Sequence, residues 1–270
     1  MKTFVETLPH GARLRGYLHE QTGNSGEIGW GPRPAMIICP GGGYVFTSPR
    51  EADPPAIAFL NMGFQVFLLD YRVGNQAGNQ QPMEDLARSI LLVRSQAEEW
   101  NIDPSKLAVL GFSAGAHLAG CLGVHWNDEE IARRCAAKDQ RALRPDAMVL
   151  CYPVITAGPF AHKASLELVS AGCNLPMDYW SLETQVNKET TPTFLWHTMD
   201  DASVPVENSF LFAQALHKAG VECECHFFPH GRHGLSVCSE EVQTPSDTVG
   251  MWVPLCKKWL ENRFGPLGGL

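Results

Sequence analysis

The chain has 270 residues, against the roughly 150 that one domain commonly takes, so its length fits one domain or two. Its residues are 44% hydrophobic and 19% charged, enough apolar material for a substantial core and too little charge for a disordered polymer. With 21 Lys and Arg against 29 Asp and Glu the formal net charge is −8, so there is no global positive field to hold a nucleic acid or an anionic membrane surface.

The opening residues carry Glu6 and Pro9 where a signal peptide would need an uninterrupted apolar run. No segment reaches the roughly 18 to 20 consecutive apolar residues of a membrane span, and the cytoplasm is the expected compartment. In chain order, the apolar runs 35–39, 64–70, 107–111, 147–151, 193–197 and 223–228 predict strands, most of them continuous Val, Ile, Leu and Phe as in buried parallel strands. Between them, 55–62, 83–100, 114–124 and 206–219 have helical periodicity, with Gly63 and Gly220 as C-terminal stops, and 251–264 reads as a closing helix. This alternation predicts an α/β fold, a mostly parallel central sheet with helices on both faces. Residues 126–145 and 156–191 fit it poorly; they are expected to be insertions forming a small lid, the alternative being long surface connections. Without a repeat or a linker, 1–270 is expected to be one domain.

Nine cysteines, an odd number at no fixed interval, read as reduced and buried thiols. Cys223, Cys225 and His226 superficially suggest metal ligation. A period-two strand, however, points both thiols to one face as ordinary half-buried residues, and no second ligand pair follows, so no metal is expected.

Gly111-Phe112-Ser113-Ala114-Gly115 directly follows an apolar run and precedes a helical pattern. That is the setting of a nucleophile elbow, where a serine occupies a strained turn and glycines two residues away on either side avoid collisions with strand and helix. A serine hydroxyl needs a base, and the base needs a carboxylate to orient it. His197 to Pro205 starts at a strand end and places Asp200 and Asp201 on the edge where catalytic groups of open α/β sheets gather. After a further helix and strand comes His233, in Pro229 to Leu235, as the candidate base. The order Ser, Asp, His is that of α/β-hydrolases, and the interval from Asp201 to His233, 233 − 201 = 32 residues, leaves room for one helix and one strand. Cys39-Pro40-Gly41-Gly42-Gly43-Tyr44 follows the first strong strand, and its backbone N–H groups together with that of Ala114 are candidates for holding the oxyanion, each donor contributing on the order of 10²–10³ in rate.

With these residues assembled, the chain resembles the α/β-hydrolase superfamily, and within it the acetyl-esterase and xylan-esterase-like carboxylesterases related to the hormone-sensitive-lipase type. The resemblance runs through Pro40–Tyr44, Asp70-Tyr71-Arg72, Gly111–Ala119, Tyr152-Pro153, His197–Pro205 and Gly231–Leu235. It departs at Pro40, where the hormone-sensitive-lipase type commonly has histidine, which suits the xylan-esterase-like branch. The resemblance implies Gly42 and Gly43 as oxyanion donors. It also selects Asp201 over Asp200, because the family's Asp-x-x-Val-Pro pattern puts the acid three residues before the valine, here Val204.

Among the remaining candidates, Tyr44 and His230 are read as possible substrate contacts, the alternatives being aromatic packing and a solvated loop histidine. Arg72 could brace the oxyanion loop or form a buried ion pair. His117 is expected to pack or hydrogen-bond beneath the elbow, and His197 to be structural. The resulting expectation is a cofactor-free serine esterase acting through an acyl-enzyme. The resemblance implies short acyl groups, acetyl first, on a carbohydrate such as an acetylated xylo-oligosaccharide. A general short-chain carboxylesterase, a lipase, amidase or peptidase, and a hydrolase-fold binding protein without activity are the alternatives. The partner expected is the ester substrate alone; residues do not choose between monomer and homodimer.

Overall fold

A computed structural model describes residues 1–20 and 31–267. Its strands are β1 (Lys2–Thr7), β2 (Arg13–Leu18), β3 (Arg33–Cys39), β4 (Gln65–Asp70), β5 (Ile102–Phe112), β6 (Ala147–Cys151), β7 (Thr193–Thr198) and β8 (Cys223–Phe228). Its helices are α1 (Asp53–Asn61), α2 (Gln81–Ser95), α3 (Ala114–His125), α4 (Glu129–Arg134), α5 (Lys163–Ser170), α6 (Leu182–Gln185), α7 (Glu207–Ala219), α8 (Asp247–Gly250) and α9 (Trp252–Phe264). The strands form one sheet in the order β1-β2-β4-β3-β5-β6-β7-β8, in which β2 alone runs antiparallel to its neighbours. Sequence analysis expected this mostly parallel sheet flanked on both faces, and missed only its first two strands.

Those two strands lack a continuous apolar run. β1 is exposed apart from half-buried Phe4, and β2 alternates exposed or half-buried residues with buried Leu14, Gly16 and Leu18. They pair as a hairpin in which the Phe4 ring lies over Gly16 so closely that a Cβ there would fall 2.3 Å from it. β3 to β7, by contrast, are buried almost throughout, as strands with helices on both sides must be.

The core is accordingly two layers. On one face α2, α3 and α7 bury Leu86, Ile90, Leu118, Leu122, Phe212 and Leu216 against the sheet; on the other α1 and α9 bury Phe59, Trp252, Cys256 and Leu260. Each such side chain contributes about 1.5–3 kcal/mol by leaving water. The helix expected over 83–100 stops at Ser95, and residues 96–101 turn so that Trp100 packs on Phe4 and Phe67 before β5 begins. Among the described residues no helix is long and apolar enough to cross a membrane.

The stretch 126–145 contains α4, capped by the Asp128 carboxylate at the Ile131 N–H, and packs on α2. The stretch 156–191 contains α5 and α6 and follows the end of β6 that carries the site. Its Ser165 Oγ lies 3.8 Å from where a Cβ on Gly43 would stand.

Candidate active site

β5 delivers Ser113 into a turn so tight that its backbone takes φ 53° and ψ −116°, a conformation L-residues avoid. The glycines on either side make it feasible. A Cβ on Gly111 would lie 2.3 Å from the Gly115 carbonyl oxygen, and one on Gly115 would lie 2.1 Å from that of Cys39. The turn therefore presses α3 directly against the end of β3, which brings the 40–44 loop beside the serine: a Cβ on Gly41 would be 3.0 Å from Ser113 Cβ.

The loops after β7 and β8 bring in the partners. Ser113 Oγ is 2.8 Å from His233 Nε2, and His233 Nδ1 is 2.6 Å from Asp201 Oδ2. The short second contact fixes the tautomer: Nδ1–H donates to the carboxylate and leaves Nε2 to accept the serine proton. Asp201 itself is bound on both oxygens. Oδ1 accepts the backbone N–H groups of Ser203 at 2.9 Å and Val204 at 3.0 Å, while Oδ2 shares the His197 Nε2–H, at 3.2 Å, with the Val204 carbonyl, at 3.0 Å. His197 is held in turn by Ser209 Oγ at 2.7 Å from its Nδ1. Burial would raise the Asp201 carboxyl, but the hydrogen bonds from His197 and His233 and the backbone outweigh it and hold the group well below the usual carboxylate range.

Asp200 faces away from this cluster. It is half exposed, accepts the Gly231 N–H at 2.7 Å and lies 3.1 Å from His230 Nδ1, joining the two loops from outside. The structure thus brings Ser113, Asp201 and His233 together and leaves His230, with a side chain 86% exposed, in that outer pair.

On the other side of Ser113, the glycine loop turns through Gly42 at φ 126° and Gly43 at φ 64°. The Gly42 carbonyl accepts the N–H groups of Val45 and Phe46, and a Cβ on Gly42 would collide with Phe46 O at 2.1 Å. Among the described residues the N–H groups of Gly42, Gly43 and Ala114 donate to no acceptor.

Of the two readings of Tyr44, substrate contact and aromatic packing, the structure shows packing. The residue is fully buried, and its hydroxyl donates to His117 Nδ1 at 2.9 Å, while His117 Nε2–H donates to the Trp180 carbonyl at 3.0 Å. Burial lowers His117 to about 4, so this imidazole is a neutral strut under the elbow. Arg72 is likewise a buried ion pair, 2.8 Å from Asp85. Bracing of the glycine loop comes instead from its neighbours, the Tyr71 hydroxyl on the Pro40 carbonyl at 2.6 Å and the Gly74 N–H on the Tyr44 carbonyl at 2.7 Å.

Two residues near the site escaped sequence reasoning. Glu51, buried, accepts the Gly41 N–H at 2.8 Å and the Tyr152 hydroxyl at 2.7 Å. His162, at the start of α5, has Nδ1 2.8 Å from Ser165 Oγ, and burial and the nearby His233 both lower it. Both lie in unremarkable sequence, Ser-Pro-Arg-Glu and Ala-His-Lys-Ala, where nothing but the three-dimensional path brings them to the serine. None of the nine thiols joins the cluster: six are buried, and Cys173, Cys223 and Cys225 are partly exposed. Cys223 and Cys225 lie with their sulfurs 3.2 Å apart on one face of β8.

A family profile described as BD-FAE matches residues 27–216. An endo-1,4-beta-xylanase B of Butyrivibrio fibrisolvens is 39% identical over 77% of this chain, and an acetylxylan esterase of Xylanibacter ruminicola is 30% identical over 74%. The chain spans only 33% and 41% of the lengths of those two relatives. Among solved structures, an acetyl ester-xyloside bifunctional hydrolase of Caldicellulosiruptor lactoaceticus superposes with TM-score 0.81 at 39% identity, covering 96% of this chain and 90% of that one. A carboxylesterase of Lactobacillus plantarum superposes with TM-score 0.87 at 27% identity, covering 98% and 99%. Profile, relatives and sheet order agree: the chain belongs to the BD-FAE family and has the α/β-hydrolase fold.

Proposed function

We propose that the chain is a serine esterase that removes short acyl groups, acetyl first, from a carbohydrate alcohol such as an acetylated xylo-oligosaccharide. The observation that carries this reading is the unbroken hydrogen-bonded line from Ser113 Oγ through His233 to Asp201, with the serine on a strained turn. His233 takes the proton from Ser113 as the hydroxyl attacks the ester carbonyl, and Asp201 stabilises the imidazolium that results. The N–H groups of Gly42, Gly43 and Ala114 receive the oxyanion. His233 then protonates the leaving alcohol, and a water molecule, deprotonated by the same imidazole, releases the acid from Ser113.

The acetyl and carbohydrate part of the reading is supported by what the relatives are called, an acetylxylan esterase and an acetyl ester-xyloside hydrolase. The carboxylesterase neighbour favours a broader reading in which the alcohol is not a sugar. Acetate release from acetylated xylo-oligosaccharides, measured beside hydrolysis of aryl acetates and longer aryl esters, separates the two. The proposal expects the sugar acetate to have the highest kcat/KM; a preference for longer aryl esters would sink it. Ser113→Ala is expected to stay folded, to lose on the order of 10⁴-fold or more in turnover and to resist an organophosphonate probe. Unchanged turnover would remove Ser113 as nucleophile.

A further inference from the structure

Glu51 has no part in the chemistry assigned to Ser113, His233 and Asp201, yet it touches two of the segments that build the site and reaches a third through Tyr152. Its Oε2 accepts the N–H of Gly41, the residue packed against Ser113. Its Oε1 accepts the Tyr152 hydroxyl, and that hydroxyl accepts the Ser236 N–H at 2.9 Å, three residues beyond His233. The Tyr152 ring meets the His233 ring edge-on at 5.0 Å. The chain around Glu51 closes the same circuit, since Ser236 Oγ donates to the Arg50 carbonyl at 2.6 Å.

A buried carboxylate is an expensive way to make two hydrogen bonds, because desolvating the charge costs several kcal/mol unless something in the fold needs it. Glu51 forms no ion pair with Lys or Arg among the described residues. The groups that face it are the Gly41 N–H from the loop after β3, Tyr152 at the end of β6, Arg50 on its own turn, and the His233 imidazole from the loop after β8. Burial pushes its carboxyl upward, and the Tyr152 and Gly41 hydrogen bonds with the charges of His233 and Arg50 oppose that. The imidazole, for its part, is faced by Asp201, by His162 from α5, by the Tyr152 ring and by Glu51.

We infer that Glu51 is a positioning residue whose carboxylate locks the glycine loop to the histidine loop and whose negative charge favours the imidazolium formed on His233 during turnover. The inference rests on the reading of Ser113 and His233 as nucleophile and base. It makes His233 a base served by two carboxylates: Asp201 by direct contact, and Glu51 through the field and through the loops that fix donors and base relative to each other.

Steady-state hydrolysis of an aryl acetate, followed from about pH 5 to 9 in Glu51→Gln, Glu51→Ala and Tyr152→Phe, tests this. Glu51→Gln keeps the shape and an acceptor for Gly41 but removes the charge. It is expected to lower kcat about tenfold with KM within about twofold, and to move the acid limb of kcat/KM to lower pH by on the order of half a unit, because the imidazolium loses a favourable neighbour. Glu51→Ala also frees the glycine loop, and kcat should fall on the order of 10²-fold, the scale of one lost oxyanion donor. Tyr152→Phe removes both bonds of that hydroxyl, to Glu51 and from Ser236, but keeps the carboxyl group, and should cost about fivefold with the limb moved less than in Glu51→Gln. Wild-type kcat/KM and an unmoved acid limb in Glu51→Gln would overturn the inference even if Glu51→Ala were inactive or unfolded, because the side chain would then only fill space. Ser113→Ala in the same assay keeps the two claims apart: activity retained there defeats the nucleophile assignment, whereas an inactive Ser113→Ala beside a wild-type Glu51→Gln defeats only the role of Glu51.

Discussion

Asp201 and Glu51 are both buried and both proposed to act on His233, but the protein surrounds their oxygens differently. Asp201 receives four N–H groups, two from imidazoles and two from backbone, and its carboxyl is held low. Glu51 receives one backbone N–H and one phenol, and burial wins, so its carboxyl is raised. Deeper burial and fewer donors together raise the Glu51 carboxyl, whereas the donors around Asp201 outweigh its burial. A group that must stay charged while a proton moves next to it belongs where Asp201 is; a group that ties loops together can tolerate the poorer solvation of Glu51.

The largest expected break in this comparison is Asp201→Asn, which keeps the shape but loses the acceptor that sets the tautomer of His233; kcat should fall about 10⁴-fold. A loss below tenfold, by steady-state rates, would mean that the orienting role lies elsewhere. His197→Ala removes one of the four donors and leaves a charge less well satisfied. About 1.5–3 kcal/mol of stability should be lost, measured by urea unfolding, while kcat falls less than in Asp201→Asn.

The pH dependence of stability separates the two carboxylates by sign. Because the folded-state value of Asp201 is depressed, it contributes stability that is present above the unfolded aspartate value of about 3.9 and is lost as pH falls through the folded one. The melting deficit of Asp201→Asn should therefore be largest near neutrality and shrink in acid. Glu51, with a raised value, costs stability above that value and the cost is relieved as pH falls, so the Tm of Glu51→Gln relative to wild type should be most favourable near neutrality and decline in acid. Parallel trends in the two variants, by calorimetry across that range, would contradict the contrast. The smallest effect belongs to Asp200→Asn. Its exposed pair with His230 is screened by solvent, and activity should stay within about threefold of wild type. Loss of activity there, with Asp201→Asn unaffected, would exchange the two aspartates.

The parts of the fold legible in the sequence were those where one strong local cause acted alone. β3 to β7 show as continuous apolar runs because both faces are covered, and the elbow shows because Gly111 and Gly115 are the residues its sterics demand. The hairpin β1 and β2 was not legible: an exposed edge strand and its neighbour carry Lys2, Glu6, Arg13 and Arg15, and their cohesion comes from pairing rather than pattern. The serine, histidine and aspartate were legible because each follows a strand end. Glu51 and His162 were not, since a glutamate before a helix and a histidine in a connecting stretch look like any solvated residue until the chain path places them. Tyr44 stayed open between substrate contact and aromatic packing, because its place beside the glycines does not say which way the ring turns; it is buried on His117.

The backbone at Ser113 has one more consequence. A residue held at φ 53° and ψ −116° stores about 1–3 kcal/mol that glycine would not. Ser113→Gly is thus expected to melt above the wild-type chain, and the serine proposed as nucleophile would mark the place where this fold trades durability for reactivity.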